Sequence, residues 1–256
     1  MSAPLLQARN IVKNYGHVQA LRGADFDVGE GQVVGLVGDN GAGKSTLVKV
    51  LSGIEQPDGG EIVFDDRTVT LADAADAHRL GIETVYQDLA LAPDLDPAAN
   101  LFLGRERLKP GLLGRLGFLD RGGMADDAAE AFRNLGQTVQ LITVPVASLS
   151  GGQRQSVAVA RASAWASRIV FLDEPTAALG VVQAQKVLDL IRRVRDNGIG
   201  VVLITHNMPQ VFDVADRIEV LRLGRRVARF TPSEIDMDDI VAAMTGVLDH
   251  DAEATS

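Results

Sequence analysis

Short apolar runs dominate the first 37 residues and predict strands at Leu5–Val12, Ala24–Val28 and Gln32–Val37, with turn signals at Asn14–Gly16 and Gly29–Gly31. Gly38–Lys44 breaks that pattern, and Ser45–Ser52 resumes it with Leu47, Val50 and Leu51 at helical spacing. After the turn residues Pro57–Gly60, the segments Glu61–Phe64 and Thr68–Leu71 read as a hairpin, Ala74–Leu80 as a short helix and Ile82–Tyr86 as a strand. Residues 88–150 differ in character: rich in Ala, Leu, Gly and Arg, with no long β-branched run, they predict short helices joined by loops around Pro110–Gly123. Helix Gln153–Ala166, strand Arg168–Leu172, helix Val181–Arg195, strand Ile199–Thr205 and helix Pro209–Ala215 then alternate. A hairpin, Ile218–Leu223 with Arg226–Phe230, comes next, and a last helix is expected over Pro232–Thr245, started by Ser233 and ended by Gly246.

Strands alternating with helices imply an α/β fold, a mainly parallel sheet flanked by helices on both faces. The expectation is one domain over residues 5–246, with an N-terminal antiparallel β subdomain, an inserted helical subdomain at 88–150 and a flexible acidic tail at 247–256. No repeat of the Gly-rich loop appears, so the chain reads as a single unit and not a tandem pair.

Composition narrows the function classes. The 46% hydrophobic content of the 256 residues fits a globular chain, and no cysteine is present for a disulfide or thiolate metal site. The longest charge-free stretch, Asn134–Gln153, is polar and broken by Pro145, so nothing reads as a bilayer span, and Met1–Gln7 lacks a basic start. A cytosolic chain is expected. The net charge of −9 argues against nucleic acid as a partner. The basic cluster Arg222, Arg225, Arg226 and Arg229 reads as a solvated hairpin edge.

Two motifs carry chemistry. Gly38-Asp39-Asn40-Gly41-Ala42-Gly43-Lys44-Ser45 matches the Walker A pattern, with Thr46 beside it. Glycines let successive N–H groups turn toward a triphosphate at a helix N-terminus, Lys44 would reach the β and γ phosphates, and Ser45 would ligate Mg²⁺. A Gly-rich turn before a helix is the plain alternative. Arg168-Ile169-Val170-Phe171-Leu172-Asp173-Glu174 is an apolar strand closed by two carboxylates, the Walker B arrangement. Asp173 would hold Mg²⁺ through its water shell and Glu174 would polarise the attacking water; an acidic helix cap is the alternative.

Leu149-Ser150-Gly151-Gly152-Gln153 stands downstream. By itself it reads as a Ser-capped helix start, but together with both Walker motifs the chain resembles the ABC ATPase family, whose signature is LSGGQ. The resemblance implies bound ATP and Mg²⁺, ATP hydrolysis, and a homodimer in which each ATP lies between the Walker A of one subunit and Ser150–Gln153 of the other. It also implies that Tyr15 stacks on adenine, unless it is an ordinary surface tyrosine. By the same resemblance Gln87 senses the metal and the transmembrane partner, and His206 contacts the γ-phosphate. Gly180 departs from the family's usual aspartate after Glu174-Pro175-Thr176-Ala177-Ala178-Leu179, which leaves the coupling of the two sites open.

Several stretches are similar to the monosaccharide importer branch, among them Gly81–Gln87, Asn100–Glu106 and Thr205-His206-Asn207-Met208. That likeness implies a motor docked on permease subunits at the inner face of the membrane, fed indirectly by a sugar-binding protein. Amino-acid or lipid cargo remains the rival. Ribosome-associated and DNA-repair ATPases are disfavoured by the single nucleotide unit and the lack of heptads.

Overall fold

Two sheets share the core, in a computed structural model that describes residues 4–134, 144–177 and 179–247. The first holds β1 (Leu6–Tyr15), β2 (Val18–Val28), β4 (Gly59–Phe64) and β5 (Arg67–Val69), in the order β2-β1-β4-β5. All its pairings are antiparallel. The second holds β3 (Val33–Val37), β6 (Ile82–Val85), β7 (Ile169–Asp173), β8 (Gly200–Ile204), β9 (Arg217–Arg222) and β10 (Arg225–Phe230), in the order β10-β9-β3-β8-β7-β6. Every pairing there is parallel except β9 with β10.

Side chains on a strand alternate between faces, so a parallel sheet covered on both sides needs continuous apolar runs. β7 shows the split: Val170 and Leu172 enter one core, Ile169 and Phe171 the other. Val201 and Leu203 of β8 join the first pair, and Val202 and Ile204 the second. The first core is closed by α3 (Pro97–Leu101), α5 (Arg121–Asn134), α6 (Gly151–Trp165) and α7 (Val181–Asp196). The second is closed by the antiparallel sheet, α1 (Lys44–Leu51) and α2 (Ala74–Arg79).

Between β6 and α6 the chain forms α3, α4 (Leu112–Arg115), α5 and a 3₁₀ turn at Val146–Ser148; α3, α5 and the turn pack into the first core, while Leu112 and Leu113 of α4 are exposed. Residues 135–143, Ala178 and 248–256 lie outside the described residues, and with them most of the expected acidic tail. No helix among the described residues is long and apolar enough to cross a membrane.

Two expectations need correction. The last helix does not begin at Pro232: Pro232–Glu234 is a 3₁₀ turn, and α9 spans Met237–Thr245 after α8 (Met208–Val214). Asp236 supplies the start instead of Ser233, in a capping box with Asp239, while Gly246 ends the helix in a left-handed conformation. The basic cluster is also more than a solvated edge. Arg229 Nε bonds Glu219 Oε1 at 2.8 Å, Arg226 approaches Glu219 at 3.6 Å, and Arg217, outside the expected cluster, adds Nε at 3.1 Å. All three guanidiniums also meet Asp27 of β2, which ties the two sheets together.

Glu219 is fully buried, and burial outweighs the three guanidiniums to push its carboxyl up to about 7. Below the unfolded-chain value of 4.5 it is neutral in both states. As pH rises from there through about 7 the unfolded chain ionises first, so this residue's stability contribution is lost across that window, by roughly 3 kcal/mol. Thermal melts at pH 5 and pH 8 should show wild type losing Tm relative to Glu219→Gln as pH rises. A difference that stayed constant with pH would contradict this.

Candidate functional site

The C-terminal ends of β3, β6, β7 and β8 come out level at one edge of the parallel sheet, with Leu36 and Asp173 both opposite Ile204, and Val85 opposite Leu172. Ligands of open α/β sheets bind at that edge. Four segments leave from it: Gly38–Lys44 after β3, Tyr86-Gln87 after β6, Glu174 after β7, and Thr205-His206 after β8.

The Gly-rich loop must fold tightly. Gly38 has φ 151°, and a Cβ there would come within 2.2 Å of the Leu221 carbonyl oxygen. Gly43, at φ 104° before α1, would meet the Ala20 oxygen at 2.8 Å. Glycine is therefore required at both for the loop to close against β2 and β9. Lys44 Nζ donates to the backbone carbonyls of Gly38 at 2.7 Å and Asp39 at 3.0 Å. Burial pulls the ammonium below its ordinary pKa, while Glu174, Asp173 and Asp39 push it back up. Its direct partners are neutral, so its charge is available to an anion laid over the loop.

Asp173 is half-buried, and burial first, then Glu174, raises its carboxyl above the usual range; Lys44 and Lys49 oppose this. Two carboxylates side by side at a desolvated strand end favour a cation. Ser45 and Gln87 line the same cleft. The described residues contain no cluster of three or more His, Cys, Asp or Glu able to hold a metal alone. This donor set fits Mg²⁺, which keeps several waters and uses one or two protein ligands together with phosphate oxygens.

Glu174 sits at φ 51°, a left-handed conformation uncommon outside glycine. Its backbone N–H donates to Ile204 O at 2.8 Å, which pins the turn to β8. Oε1 lies 2.8 Å from His206 Nδ1 and accepts from the His206 backbone N–H at 3.2 Å, while Oε2 accepts from Thr205 Oγ1 at 3.2 Å. The imidazole is 80% exposed, so it can turn toward a ligand without disturbing the core.

A cleft of about 520 Å³ gathers Tyr15, Asn40, Gly41, Ala42, Gly43, Lys44, Ser45, Thr46, Gln87, Asp173 and Glu174. An adjoining hollow holds Gly38, Asp39 and His206, and shares Asn40, Gln87 and Glu174. Tyr15 closes β1, paired with Val18, instead of standing in the turn beyond it. Gln87 lies in the turn two residues past the end of β6 instead of closing that strand. Ser150, Gly151, Gly152 and Gln153 line neither space. They form the start of α6, where Ser150 Oγ accepts from Gln153 N–H and Gln153 Oε1 accepts from Ser150 N–H at 2.8 Å.

The sequence did not reveal Val18, Gln19, Ala20 and Arg22 of β2, or Leu223, all of which line the cleft. Leu223 sits in the β9–β10 turn at φ 48° and is 59% exposed. Gly224 N–H donates to Ala42 O of the loop at 2.9 Å, and Arg22 N–H donates to Gly224 O at 2.8 Å. With Tyr15 and Val18 this gives three exposed apolar side chains around one cleft, a surface suited to a flat ring beside a loop suited to an anion.

The sequence profile described as ABC transporter matches residues 21–177. The fructose import ATP-binding protein FrcA of Rhizobium meliloti is 51% identical over 253 residues, covering 98% of this chain and 97% of that protein. The xylose/arabinose import ATP-binding protein XylG of Sulfolobus acidocaldarius is 44% identical, with 94% of each chain covered. The ribose import ATP-binding protein RbsA 1 of Rubrobacter xylanophilus is 42% identical over 95% of this chain, but only 47% of its own length is matched. Among solved structures, a nucleotide-free ATP-binding cassette from an ABC transporter superposes with TM-score 0.80 at 25% identity, covering 94% of this chain and 96% of that one. A dimeric post-hydrolysis cassette bound to ADP and Pi does so with TM-score 0.73 at 25% identity, covering 89% and 98%.

Leu223→Asp should weaken ATP binding about tenfold, the equivalent of roughly 1.4 kcal/mol of lost apolar contact, and leave kcat at saturating ATP unchanged. Equilibrium titration with a fluorescent ATP analogue measures it. Unaltered affinity would remove Leu223 from the subsite.

Proposed function

The chain belongs to the ABC transporter family and is an ATPase of that family, and from that premise we propose that it drives monosaccharide import, acting as a pair of copies beneath a membrane permease. The observation that carries the reading is the division of the site. Loop, carboxylates, Gln87 and Tyr15 share one cleft, while the second anion-binding segment, Ser150–Gln153, lies outside it. A single copy thus presents two halves of different sites, and pairing two copies would complete both. The dimeric relative bound to ADP and Pi supports that arrangement. The sugar assignment rests on the fructose, xylose/arabinose and ribose import proteins that this chain is similar to.

Each group would have its own task. N–H groups of residues 38–45 and the Lys44 ammonium hold the phosphates, and Tyr15 with Val18 and Leu223 holds the base. Ser45, Asp173 and Gln87 would hold Mg²⁺, which supplies charge neutralisation on the phosphate oxygens. Glu174 orients the attacking water, and its hydrogen bonds from Thr205 and the His206 backbone fix that carboxylate against β8. His206 leaves its contact with Glu174 Oε1 to meet the γ-phosphate. Ser150 and the N-terminus of α6 face the same phosphate from the other copy. Closure of the pair draws the 88–150 segments together, and residues around Gln87–Asn100 pass that motion to the permease at the inner face of the membrane.

Glu174→Gln should bind ATP with near wild-type affinity, accumulate a nucleotide-dependent dimer and lower turnover about a hundredfold or more. Size-exclusion chromatography with ATP and a phosphate-release assay read both effects. Near wild-type turnover would take Glu174 out of its role. With the permease reconstituted, stimulation by an amino-acid-loaded and not a sugar-loaded binding protein would overturn the cargo assignment.

A further inference from the structure

We propose that Arg161 is a positioning residue that holds the Gln87 loop in place from the signature helix, so that it sets the rate of the hydrolytic step and not the affinity for nucleotide. This rests on the reading of Gln87 as part of the site. Arg161 lies on α6, about three turns beyond the Ser150 cap. Its Nη1 donates to Ala90 O at 2.7 Å and its Nη2 to Leu89 O at 3.0 Å, so both arms of the planar fork grip consecutive carbonyls of one loop.

Leu89 at φ 60° and Ala90 at φ 45° are two successive non-glycine residues in the left-handed region. Such a pair persists only where surroundings impose it. The loop's own contribution is a single turn bond, Leu89 N–H to Tyr86 O at 2.9 Å, which encloses Gln87. The guanidinium holds the Leu89 and Ala90 carbonyls, while Leu89 and Leu91 pack against the first core and Asn100 accepts from Ala92 N–H at 2.8 Å and donates to Ala92 O at 3.0 Å. The guanidinium is partly buried and meets two neutral carbonyls and no carboxylate among the described residues; Glu83 and Asp88 act on its charge only through space. A fork in that setting is a structural clamp instead of an ion pair.

The clamp joins two parts of the site, the helix that begins after Ser150 and the loop that carries Gln87. One end of α6 presents Ser150 to the nucleotide of the other copy, and Arg161 on the same rigid helix sets where Gln87 stands against the nucleotide of its own copy. Displacement of α6 by pairing would therefore reposition Gln87.

Steady-state ATPase assays on the full chain test this with Arg161→Lys, Ala90→Pro, Gln87→Ala and their double combinations. Lysine keeps the charge but cannot bridge both carbonyls. Proline at 90 cannot adopt positive φ, so it turns the loop carbonyls away from an intact Arg161 at an exposed position. Arg161→Lys and Ala90→Pro are each expected to lower kcat about tenfold, with KM for ATP within about twofold of wild type. Neither should slow Gln87→Ala further, because both act through that glutamine. Fluorescence of Trp165, the only tryptophan, reports folding on the same helix. Wild-type kcat in both single variants, a KM rise accounting for the loss, or additive losses in the doubles would each overturn the proposal. Failure of Glu174→Gln to block turnover would instead strike the underlying reading.

Discussion

A partly buried ammonium facing two partly desolvated carboxylates at one edge of a parallel sheet is the constraint on which the rest of the molecule depends. Lys44 has only carbonyls for direct partners, and Asp173 is raised by burial and by Glu174. Both arrangements cost stability in the isolated fold, since burial disfavours each charged form. The arrangement suits a triphosphate and a divalent cation entering together. The glycines at 38 and 43, the left-handed Glu174 and the level ends of β3, β7 and β8 all serve to hold those three charges in one place.

A second consequence is that the cleft stays open on one side. Ser150–Gln153 belongs to α6, which packs against α7 and the helical side of the sheet, away from the cleft. Its capping box already satisfies the Ser150 and Gln153 backbone donors without any ligand. The segment is thus a preformed helix terminus that lines neither the cleft nor the adjoining hollow, with Leu179 and Gln183 beside Gly151 and Gly152. Gly180 caps α7 at φ −69°, an ordinary conformation, so the backbone does not require glycine there.

How much of the fold and site is legible in the sequence varies with the range of the interactions. The core strands β3, β7 and β8 are plain because a sheet buried on both faces forces continuous apolar runs. The apolar pattern places the start of β2 at Ala24, yet the strand begins at Val18, because register shifts against β1 break the alternation that would have shown it. The motif residues of the loop, Asp173 and Glu174 are legible because they sit on contiguous segments. Leu223 and Arg22 are not, since they reach the cleft only through the hydrogen bonds of Gly224 to Ala42 and Arg22. The basic hairpin misleads for the same reason: its partners Asp27 and Glu219 lie on other strands or face the interior, where sequence proximity says nothing. The start of α9 is displaced because Ser233 after a proline resembles a cap, whereas the reciprocal Asp236–Asp239 pair satisfies more donors.

The central claim, that each copy finishes the site of the other, is most directly tested by complementation between two inactive chains. Lys44→Ala destroys the phosphate loop of its own chain, and Ser150→Arg destroys the segment lent to the other chain. In a mixed pair one site would combine an intact loop with an intact Ser150, while the second would carry both defects. Equimolar mixing should restore turnover to roughly a quarter of wild type, as expected for random pairing with one sound site in each mixed dimer. A mixture as inactive as either chain alone would show that loop and segment act within one copy, and the account would fail.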